Sequence, residues 1–335
     1  MKKIIIFFLL IISINVKASV VVMDSDSGRL LYSNNKDEKK LIASTTKIMT
    51  CIIALENAPI DMKIKVGSEI NGAYGSMTYI KDGEELTLDD LLKGLMLQSG
   101  NDAALTIANN VKNYDDFISL MNIKAFKLGM YNTYFENPHG LNENTQNIST
   151  AYDMALLMKY AIKNKDFLRI TSTYEHKVKD HIWYNKNKLL REYKYLISGK
   201  IGFTKKSGQV FVSAASKDNK TLVIASIDEG DKFNLHKYLY EKYFNMYERY
   251  KILDKNTFSF KINNNSKYHY YIKNDFYMLL KKDEINKLKI KVNLNNNKNI
   301  VEIYLNDKLI HSEKLYVLKY ENRIKSLKKM LLFWK

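Results

Sequence analysis

The feature that most constrains this chain is a short polar segment, Ala43-Ser44-Thr45-Thr46-Lys47, that leads directly into an apolar stretch. Because Ser44 and Lys47 are three residues apart, a helix would place both side chains on one face. The residues that follow recur at helical spacing and predict a buried helix: Ile48, Cys51, Ile52 and Leu55. A desolvated lysine in this position can act as the base that turns the serine into a nucleophile. The alternative is a serine cap followed by a solvated lysine.

A second polar motif, Ser99-Gly100-Asn101, lies between two apolar helices. The first of these helices is predicted to begin at Thr87 as the N-cap and to present one apolar stripe: Leu91, Leu92, Leu95 and Met96. Gly100 is expected to let the chain turn and to bring the backbone close to a neighbouring segment. Ser99 and Asn101 could then point into a cleft, although the same tripeptide is also a common turn.

A third motif, Lys200-Ile201-Gly202, precedes two predicted strands, residues 209–215 and 221–227, joined by a turn at residues 217–220. Lys200 is therefore expected on or beside a strand of the same sheet. Gly202 removes a side chain where the backbone of a ligand could approach. The alternative for Lys200 is an exposed lysine on a strand.

Composition limits the compartment and the partners. Residues 1–18 resemble a secretory signal peptide, with Lys2 and Lys3 before a short apolar core and a small-residue cleavage site at residues 16–18. The 335-residue chain has a formal charge of +17, and +14 remains without the three lysines of this segment. Such a charge suits an anionic membrane or cell-wall polymer. Nucleic acid is not expected as a partner, because no binding motif is apparent and the chain is expected to be exported.

The remaining pattern predicts a domain at 19–250, a small all-β domain at 254–318 and a tail helix at 320–335. The first domain begins with a hairpin over residues 19–32, continues through helices near 103–130 and after Thr150, and ends in a helix at 232–250. Alternating apolar residues from Leu288 to Leu318 predict the β domain. The single cysteine, Cys51, is expected in the core. The basic amphipathic tail suits a membrane surface, although it could instead pack on the β domain.

The order S-x-x-K, S-x-N, K-x-G is far more specific than any one motif, and related motifs are known in penicillin-binding proteins and class A β-lactamases. The chain resembles the D-alanyl-D-alanine carboxypeptidases of the penicillin-binding protein 5 type, a likeness supported also by Asn137-Pro138-His139-Gly140-Leu141. The resemblance implies a mixed α/β (α+β) fold: a transpeptidase domain like that of penicillin-binding proteins and β-lactamases, with a small C-terminal all-β domain and an amphipathic tail helix.

The resemblance also implies a role for each motif. Ser44 would attack the carbonyl between two D-alanines of a peptidoglycan stem peptide, and Lys47 would take its proton. Ser99 would relay a proton to the leaving amine, Asn101 would orient Lys47, and backbone N–H groups of Ser44 and Phe203 would form an oxyanion hole. The implied substrate-binding residues are Lys200, Gly202, Phe203 and Thr204. β-Lactams are expected to inhibit, and no metal or other cofactor is expected.

One position departs from the family pattern: Ile201 stands where the family has threonine or serine. The missing hydroxyl would bond the substrate carboxylate, a bond worth about 1.5–3 kcal/mol. The branched side chain could also crowd the site, and Thr204 could supply a substitute hydroxyl. Because the other site residues are present, we expect an attenuated or re-specified enzyme rather than an inactive one.

Three alternatives stay open at this stage. A D,D-endopeptidase would use the same residues, and a weakly active penicillin- or wall-binding protein would keep the fold without turnover. A β-lactamase would need a further carboxylate; Glu143 and Asn147 match such a pattern, which we interpret as chance.

His139 could be a base, but a structural hydrogen-bonding role is favoured beside Pro138 and Gly140.

Overall fold

A computed structural model describes residues 18–262, 268–295 and 298–319. The predicted tail helix at 320–335 lies outside the described residues, as does the predicted signal peptide apart from Ala18. None of the helices in the described ranges is both long enough and apolar enough to cross a membrane.

The helices of the described residues are concentrated before residue 250. They are α1 (Lys47–Asn57), α2 (Leu88–Lys93), α3 (Asn101–Val111), α4 (Tyr114–Lys127), α5 (Ala151–Ala161), α6 (Lys165–Ser172), α7 (Leu189–Glu192) and α8 (Lys232–Met246). Short 3-10 turns are formed by Ala43–Thr46, Ser68–Ile70 and Lys282–Lys287, and one π-helical turn is formed by Gly94–Gln98.

The strands fall into a large N-terminal set and a smaller C-terminal set. The first set is β1 (Ser19–Asp24), β2 (Leu30–Asn34), β3 (Lys40–Leu41), β4 (Lys63–Lys65), β5 (Glu85–Thr87), β6 (Ile148–Ser149), β7 (Glu175–Val178), β8 (His181–Tyr184), β9 (Leu196–Thr204), β10 (Gly208–Lys217) and β11 (Lys220–Ile227). The second set is β12 (Glu248–Leu253), β13 (Ser259–Phe260), β14 (Tyr268–Tyr271), β15 (Phe276–Leu280), β16 (Leu288–Asn295), β17 (Lys298–Leu305), β18 (Lys308–Lys314) and β19 (Tyr316–Lys319).

An antiparallel five-stranded sheet with the order β2-β1-β11-β10-β9 forms the centre of the N-terminal part. The predicted turn between β10 and β11 is confirmed: Asp218 and Asn219 have φ values of 51° and 60°, as a two-residue hairpin requires. Strand β9, which carries Lys200, lies at the edge of this sheet. Among the described strands, none pairs with the outer edge of β9.

Alternation along β10 divides the sheet into two apolar faces. Val210 and Val212 belong to the larger core, which contains α1, α3 and α5, whereas Phe211 belongs to the core that contains α8. In the larger core, α1 is buried along nearly its whole length, and burial raises the pKa of the Cys51 thiol. The predicted core position of this cysteine is confirmed.

The start of α2 also agrees with the sequence. The Thr87 side chain accepts a hydrogen bond from the backbone N–H of Asp90 at 3.1 Å, and the Asp90 carboxylate accepts one from the Thr87 N–H. This capping box satisfies N–H groups that would otherwise be unpaired at the helix start.

The C-terminal strands form three small sheets, β12-β15, β13-β14-β19 and β16-β17-β18, around a separate apolar core. The alternation seen in the sequence is confirmed in β17, where Val301, Ile303 and Leu305 are buried. In β16 the same alternation forms a strand, but Ile290 and Val292 remain 46% and 42% exposed. The small all-β region that the sequence predicted is therefore present.

Two element boundaries differ from the prediction. The helix expected over 232–250 ends at Met246, because Tyr247 is extended and Glu248–Leu253 pairs with β15. The single return strand expected over 309–318 is divided at the buried Leu315 into β18, which pairs with β17, and β19, which pairs with β14. Tertiary pairing decides both boundaries.

The first hairpin joins the central sheet to the C-terminal strands. The Asp24 carboxylate accepts the Leu279 backbone N–H at 3.1 Å, and Arg29 donates to the Leu279 carbonyl at 2.9 Å. Arg29 also forms a two-point ion pair with Glu284. A bidentate arginine–carboxylate pair of this kind fixes orientation as well as distance.

Candidate active site

Ser44 lies in the 3-10 turn that precedes α1, one residue after a strained backbone position. Ala43 has a φ of 46°, a value that L-residues rarely adopt. The turn is pressed against the loop at residues 137–141: a Cβ added to Gly140 would lie 1.9 Å from the Ala43 carbonyl oxygen. Ser44 itself is half-buried, so its hydroxyl is held in a defined place at the surface of the core.

Lys47 is fully buried beneath Ser44 and bonds to three oxygens. Its Nζ lies 3.1 Å from Ser44 Oγ, 2.7 Å from Asn101 Oδ1 and 2.7 Å from the His139 carbonyl oxygen. Two of the predicted site residues are therefore in direct contact with Lys47. The expected proximity of serine and lysine on one helical face is present, although Ser44 belongs to the 3-10 turn rather than to the α-helix.

The surroundings of Lys47 favour its neutral form. Burial lowers its pKa well below the ordinary value, and the positive charges of Lys200 and Lys186 lower it further, whereas Asp102 raises it. A neutral amine can accept a proton, which a lysine with an ordinary pKa cannot do near neutral pH.

The Ser99-Gly100-Asn101 segment reaches the site from the π-helical turn. Ser99, with a φ of 65°, adopts the left-handed backbone conformation, whereas Gly100 has a φ of −60°. Gly100 is instead required by close approach, because an added Cβ would lie 2.5 Å from Thr78 Cγ2. The expectation of a close backbone approach is confirmed, and the expectation that glycine makes the turn is wrong.

Lys200 lies on β9, opposite Lys47 in the cleft, and is also buried. Its Nζ donates to Ser99 Oγ at 3.1 Å and to the Ile201 carbonyl oxygen at 3.0 Å. Burial, with a contribution from the charge of Lys186, lowers the Lys200 pKa to about 7. This lysine is not the exposed strand residue of the alternative interpretation.

The remaining predicted residues follow on the same strand. A Cβ added to Gly202 would lie 3.0 Å from the Ser44 backbone N, so β9 approaches the serine turn closely at this point. Phe203 is 60% exposed. The Thr204 hydroxyl lies 3.0 Å from Ser207 Oγ and accepts the Ser207 N–H, so these hydrogen bonds hold it within the β9–β10 turn.

Ile201 lies on the other face of β9. It is paired with Phe211 and packs against the apolar core that contains α8, whereas Lys200 is paired with Val212. The half-buried Ile201 side chain thus has packing partners behind the sheet, and crowding of the cleft does not follow from this arrangement. Position 201 still lacks the hydroxyl that the family has there.

Several groups that hold the site together were missed by the sequence analysis. The loop at 71–83 covers one side of the site, and the Tyr74 carbonyl accepts from Asn101 Nδ2 at 2.6 Å. Asp102 is buried and accepts from Thr78 and Tyr79 of this loop. Lys186 contributes charge beside both buried lysines. Only the adjacency of Asp102 to the S-x-N motif was a signal in the sequence.

His139 has the structural role that the sequence favoured. Its Nδ1 accepts the Leu141 N–H at 3.1 Å, and its carbonyl holds Lys47. Burial and the charge of Lys47 lower the imidazole pKa to about 3, so the ring is neutral. Glu143 is exposed and is hydrogen-bonded by the Tyr74 hydroxyl, while Asn147 donates to Thr46 Oγ1 at 2.9 Å.

The arrangement therefore unites a serine, a lysine with a lowered pKa, a second hydroxyl and a second lysine in one cleft. Within the described residues, no three His, Cys, Asp or Glu side chains are grouped so that they could hold a metal ion.

Comparison with known proteins agrees with this constellation. The family model described as D-alanyl-D-alanine carboxypeptidase, peptidase S11, matches residues 13–230. The chain belongs to this family. It is similar to the D-alanyl-D-alanine carboxypeptidase DacF of Bacillus subtilis, with 35% identity over 212 residues that cover 60% of this chain and 54% of the relative. The chain thus spans about half the length of that family member.

Two further comparisons bear on specificity and on the fold. A D-alanyl-D-alanine endopeptidase of Escherichia coli is 30% identical over 231 residues, which cover 64% of this chain and 72% of the relative. Penicillin-binding protein 5 of Haemophilus influenzae superposes with a TM-score of 0.76 over 90% of this chain and 96% of that chain, at 23% identity. The predicted fold class, including the C-terminal all-β part, is confirmed by this likeness.

Proposed function

We propose that the chain is a serine-type D-Ala-D-Ala carboxypeptidase that removes the terminal D-alanine from peptidoglycan stem peptides through an acyl-enzyme on Ser44. The observation that carries this proposal is the position of Lys47 Nζ, which is fully buried and 3.1 Å from Ser44 Oγ. Family membership and the lowered pKa of Lys47 support the same assignment. A serine beside a neutral buried amine is suited to acyl transfer.

In the first step, neutral Lys47 takes the hydroxyl proton as Ser44 Oγ attacks the carbonyl carbon of the penultimate D-alanine. The resulting oxyanion would be stabilised by the backbone N–H groups of Ser44 and Phe203. The close approach of β9 to the Ser44 backbone N supports this pairing, because it brings the two segments together. Asn101 holds Lys47 in line through its Oδ1.

In the second half of acylation, the bond to the terminal D-alanine breaks and its nitrogen takes a proton. Ser99 would relay to it the proton that Lys47 took from Ser44, and the Ser99 hydroxyl is held at the site by a hydrogen bond from Lys200 Nζ at 3.1 Å. Protonated Lys200 would attract the terminal carboxylate, assisted by the exposed positive charge of Lys186. Water then hydrolyses the acyl-enzyme and restores Ser44.

The setting of this reaction is also proposed. The basic charge, the leader-like residues 1–18 and the amphipathic pattern of residues 320–335 support export and attachment at the outer face of the cytoplasmic membrane. We propose residues 19–250 as the catalytic domain and residues 254–318 as the small β domain. β-Lactams are the expected covalent inhibitors, because they resemble an acyl donor that Ser44 can open.

A fluorescent penicillin tests the proposal directly. We expect it to label the mature chain and not a Ser44→Ala variant, while a peptide ending in D-Ala-D-Ala releases D-alanine in the presence of the same chain. Loss of both signals in a folded native chain would reject the enzyme and favour a wall-binding protein.

A D,D-endopeptidase is the second candidate. It is favoured by Ile201, which lacks the hydroxyl that the family carries at this position, and by the similarity to a protein named as an endopeptidase. Labelling of Ser44 without release of D-alanine, together with cleavage of cross-linked peptide dimers, would identify this activity. Rapid hydrolysis of a chromogenic cephalosporin would instead indicate a β-lactamase.

A further inference from the structure

Asp102 is a fully buried carboxylate directly after the S-x-N motif, and all of its recorded hydrogen bonds are to backbone N–H groups. It accepts from Thr78 at 2.9 and 3.0 Å, from Tyr79 at 2.8 Å and from Ala103 at 2.9 Å. The Trp183 indole donates to the Thr78 carbonyl at 3.1 Å from the other side. The turn at residues 74–79 is therefore clamped at Thr78 by buried partners.

The clamp holds a strained conformation in place. Tyr79 has a φ of 63° although it is not glycine, and its side chain is 70% exposed, so its own packing offers little compensation. A non-glycine residue in this region is strained and persists only where its surroundings hold it there. The hydrogen bond from the Tyr79 N–H to Asp102 supplies that restraint.

The same turn determines how Asn101 is oriented. The Asn101 backbone N–H donates to the Ser76 carbonyl at 2.8 Å, and its Nδ2 donates to the Tyr74 carbonyl at 2.6 Å. This second bond fixes which end of the amide faces Lys47, leaving Oδ1 to accept from Nζ at 2.7 Å. If the turn moved, the amide could rotate and present a donor to the lysine.

We propose that Asp102 is a positioning residue for the Ser44–Lys47 pair: it clamps the 74–79 turn, and through that turn it fixes the amide of Asn101 that orients Lys47. The inference rests on the proposed serine chemistry of the site. Asp102 forms no hydrogen bond with Ser44 or Lys47 in the described part of the chain. It therefore acts through Asn101 and through its charge.

The charge of Asp102 provides a second test of the proposal, because this charge acts on the pKa of Lys47. The charged groups that act on Lys47 are Lys200 and Lys186, which lower its pKa, and Asp102, which raises it. His139, which contacts Lys47 through its carbonyl, carries a neutral ring. Loss of the Asp102 charge should therefore lower the Lys47 pKa further.

The test compares Asp102→Asn with Asp153→Asn. Asp153 is another buried carboxylate that accepts backbone and side-chain donors, from Asn132 at 2.9 Å and Thr133 at 2.8 Å, but it bonds to no residue of the site. We expect Asp102→Asn to slow penicillin labelling by about tenfold or more. The acid limb of the pH profile, in which the labelling rate falls as Lys47 becomes protonated, should move to lower pH by about half a unit or more. Asp153→Asn should leave the limb unmoved. A folded Asp102→Asn variant with an unmoved limb and no greater loss than Asp153→Asn overturns the proposal.

Gly75 provides a variant that leaves Asp102 intact. It has a φ of +80°, and an added Cβ would lie 3.2 Å from Asn101 Nδ2, whereas a Cβ on Gly72 of the same loop would meet nothing within 4 Å. We expect Gly75→Ala to slow labelling by about tenfold, and Gly72→Ala to label at the native rate. A native rate in folded Gly75→Ala overturns the role of the turn even if Asp102→Asn does not fold.

One readout separates this proposal from the proposed activity. Titration of Lys47 by NMR, with ¹³C-labelled lysine, needs no turnover. We expect its midpoint to fall in Asp102→Asn and to stay unchanged in Asp153→Asn. An unchanged midpoint in folded Asp102→Asn overturns the charge effect, whereas a native chain that shows no Ser44-dependent labelling rejects the proposed function instead.

Discussion

The two walls of the cleft are constructed differently. On the helical wall, Ser44, Lys47 and Asn101 are joined by side-chain hydrogen bonds, so each group is held by another group of the site. On the β9 wall, the site is formed by one buried lysine, Lys200, and by backbone that approaches Ser44 at Gly202. In the proposed reaction, activation of the nucleophile and recognition of the substrate therefore depend on different kinds of structure.

This difference explains how one wall can change without the other. A buried network of polar groups loses stability when any member is left unpaired, which restrains substitution. A strand presents alternate side chains to opposite faces, so Ile201 packs behind the sheet while Lys200 remains in the cleft.

Removal of Lys47 should have the largest effect, because it acts on the helical wall. We expect Lys47→Met to reduce the rate of penicillin labelling by about 10²–10⁴-fold, the usual contribution of a positioned base. Lys220→Met is the matched control, since Lys220 is a buried lysine whose Nζ bonds to the Phe244 and Tyr247 carbonyls outside the cleft. Labelling of folded Lys47→Met within tenfold of the native rate would exclude Lys47 as the base.

Loss of Lys200 should have a smaller effect, confined to carboxylate recognition and proton relay. We expect Lys200→Met to lower kcat/KM for D-alanine release by about 100-fold, since truncating one partner of a buried charge pair costs about 2–5 kcal/mol. The Lys47 titration should shift upward, because Lys200 lowers the Lys47 pKa in the native chain. Unchanged D-alanine release would show that the carboxylate is held elsewhere.

The pH dependence offers a test that leaves the fold intact. In the proposed reaction, Lys200 attracts a carboxylate as a cation. Its pKa is lowered to about 7, so this attraction is present below that pH and is lost as pH rises through it. We expect kcat/KM for D-alanine release to fall above about pH 7. Lys200→Arg keeps its charge at all these pH values and should remove this limb. A limb that persists in Lys200→Arg would have to belong to another group.

The comparison of the two walls also shows what the sequence could reveal. The Ser44–Lys47 contact is set by a spacing of three residues, and the Thr87 cap is formed by neighbours in the chain, so local pattern predicted both. The clamp of Asp102 on Thr78 joins residues 24 apart through a turn with no regular periodicity. The left-handed backbone position is Ser99, whereas the adjacent Gly100 is required by the close approach of Thr78, and this packing contact joins residues far apart in the chain.

The end of α8 illustrates the same limit. Helical periodicity continues past Met246, but the backbone turns extended because Glu248–Leu253 gains a partner in β15, far along the chain. Local propensity is a weak prior against such pairing. The site was therefore predictable where its contacts are local, as in S-x-x-K, and was incomplete where it depends on a loop packed from elsewhere.

The smallest expected effect is a gain of activity on the β9 wall. Ile201→Thr restores a hydroxyl at the position where the family has one, and a hydrogen bond to a carboxylate is worth about 1.5–3 kcal/mol. Because the Ile201 side chain now packs behind the sheet, part of this gain should be offset by lost apolar contact. Because β9 is an edge strand, the smaller threonine side chain reaches the cleft only by turning around that edge, so we expect D-alanine release to rise by about tenfold at most, with a small decrease in Tm. Ile197→Thr, the same exchange on the same strand, packs against the other core and should lower Tm without raising release. If release is equal in Ile201→Thr and the native chain, the missing hydroxyl does not limit the rate of D-alanine release. The two walls would then differ in structure, and the β9 wall would not be the one that limits the rate.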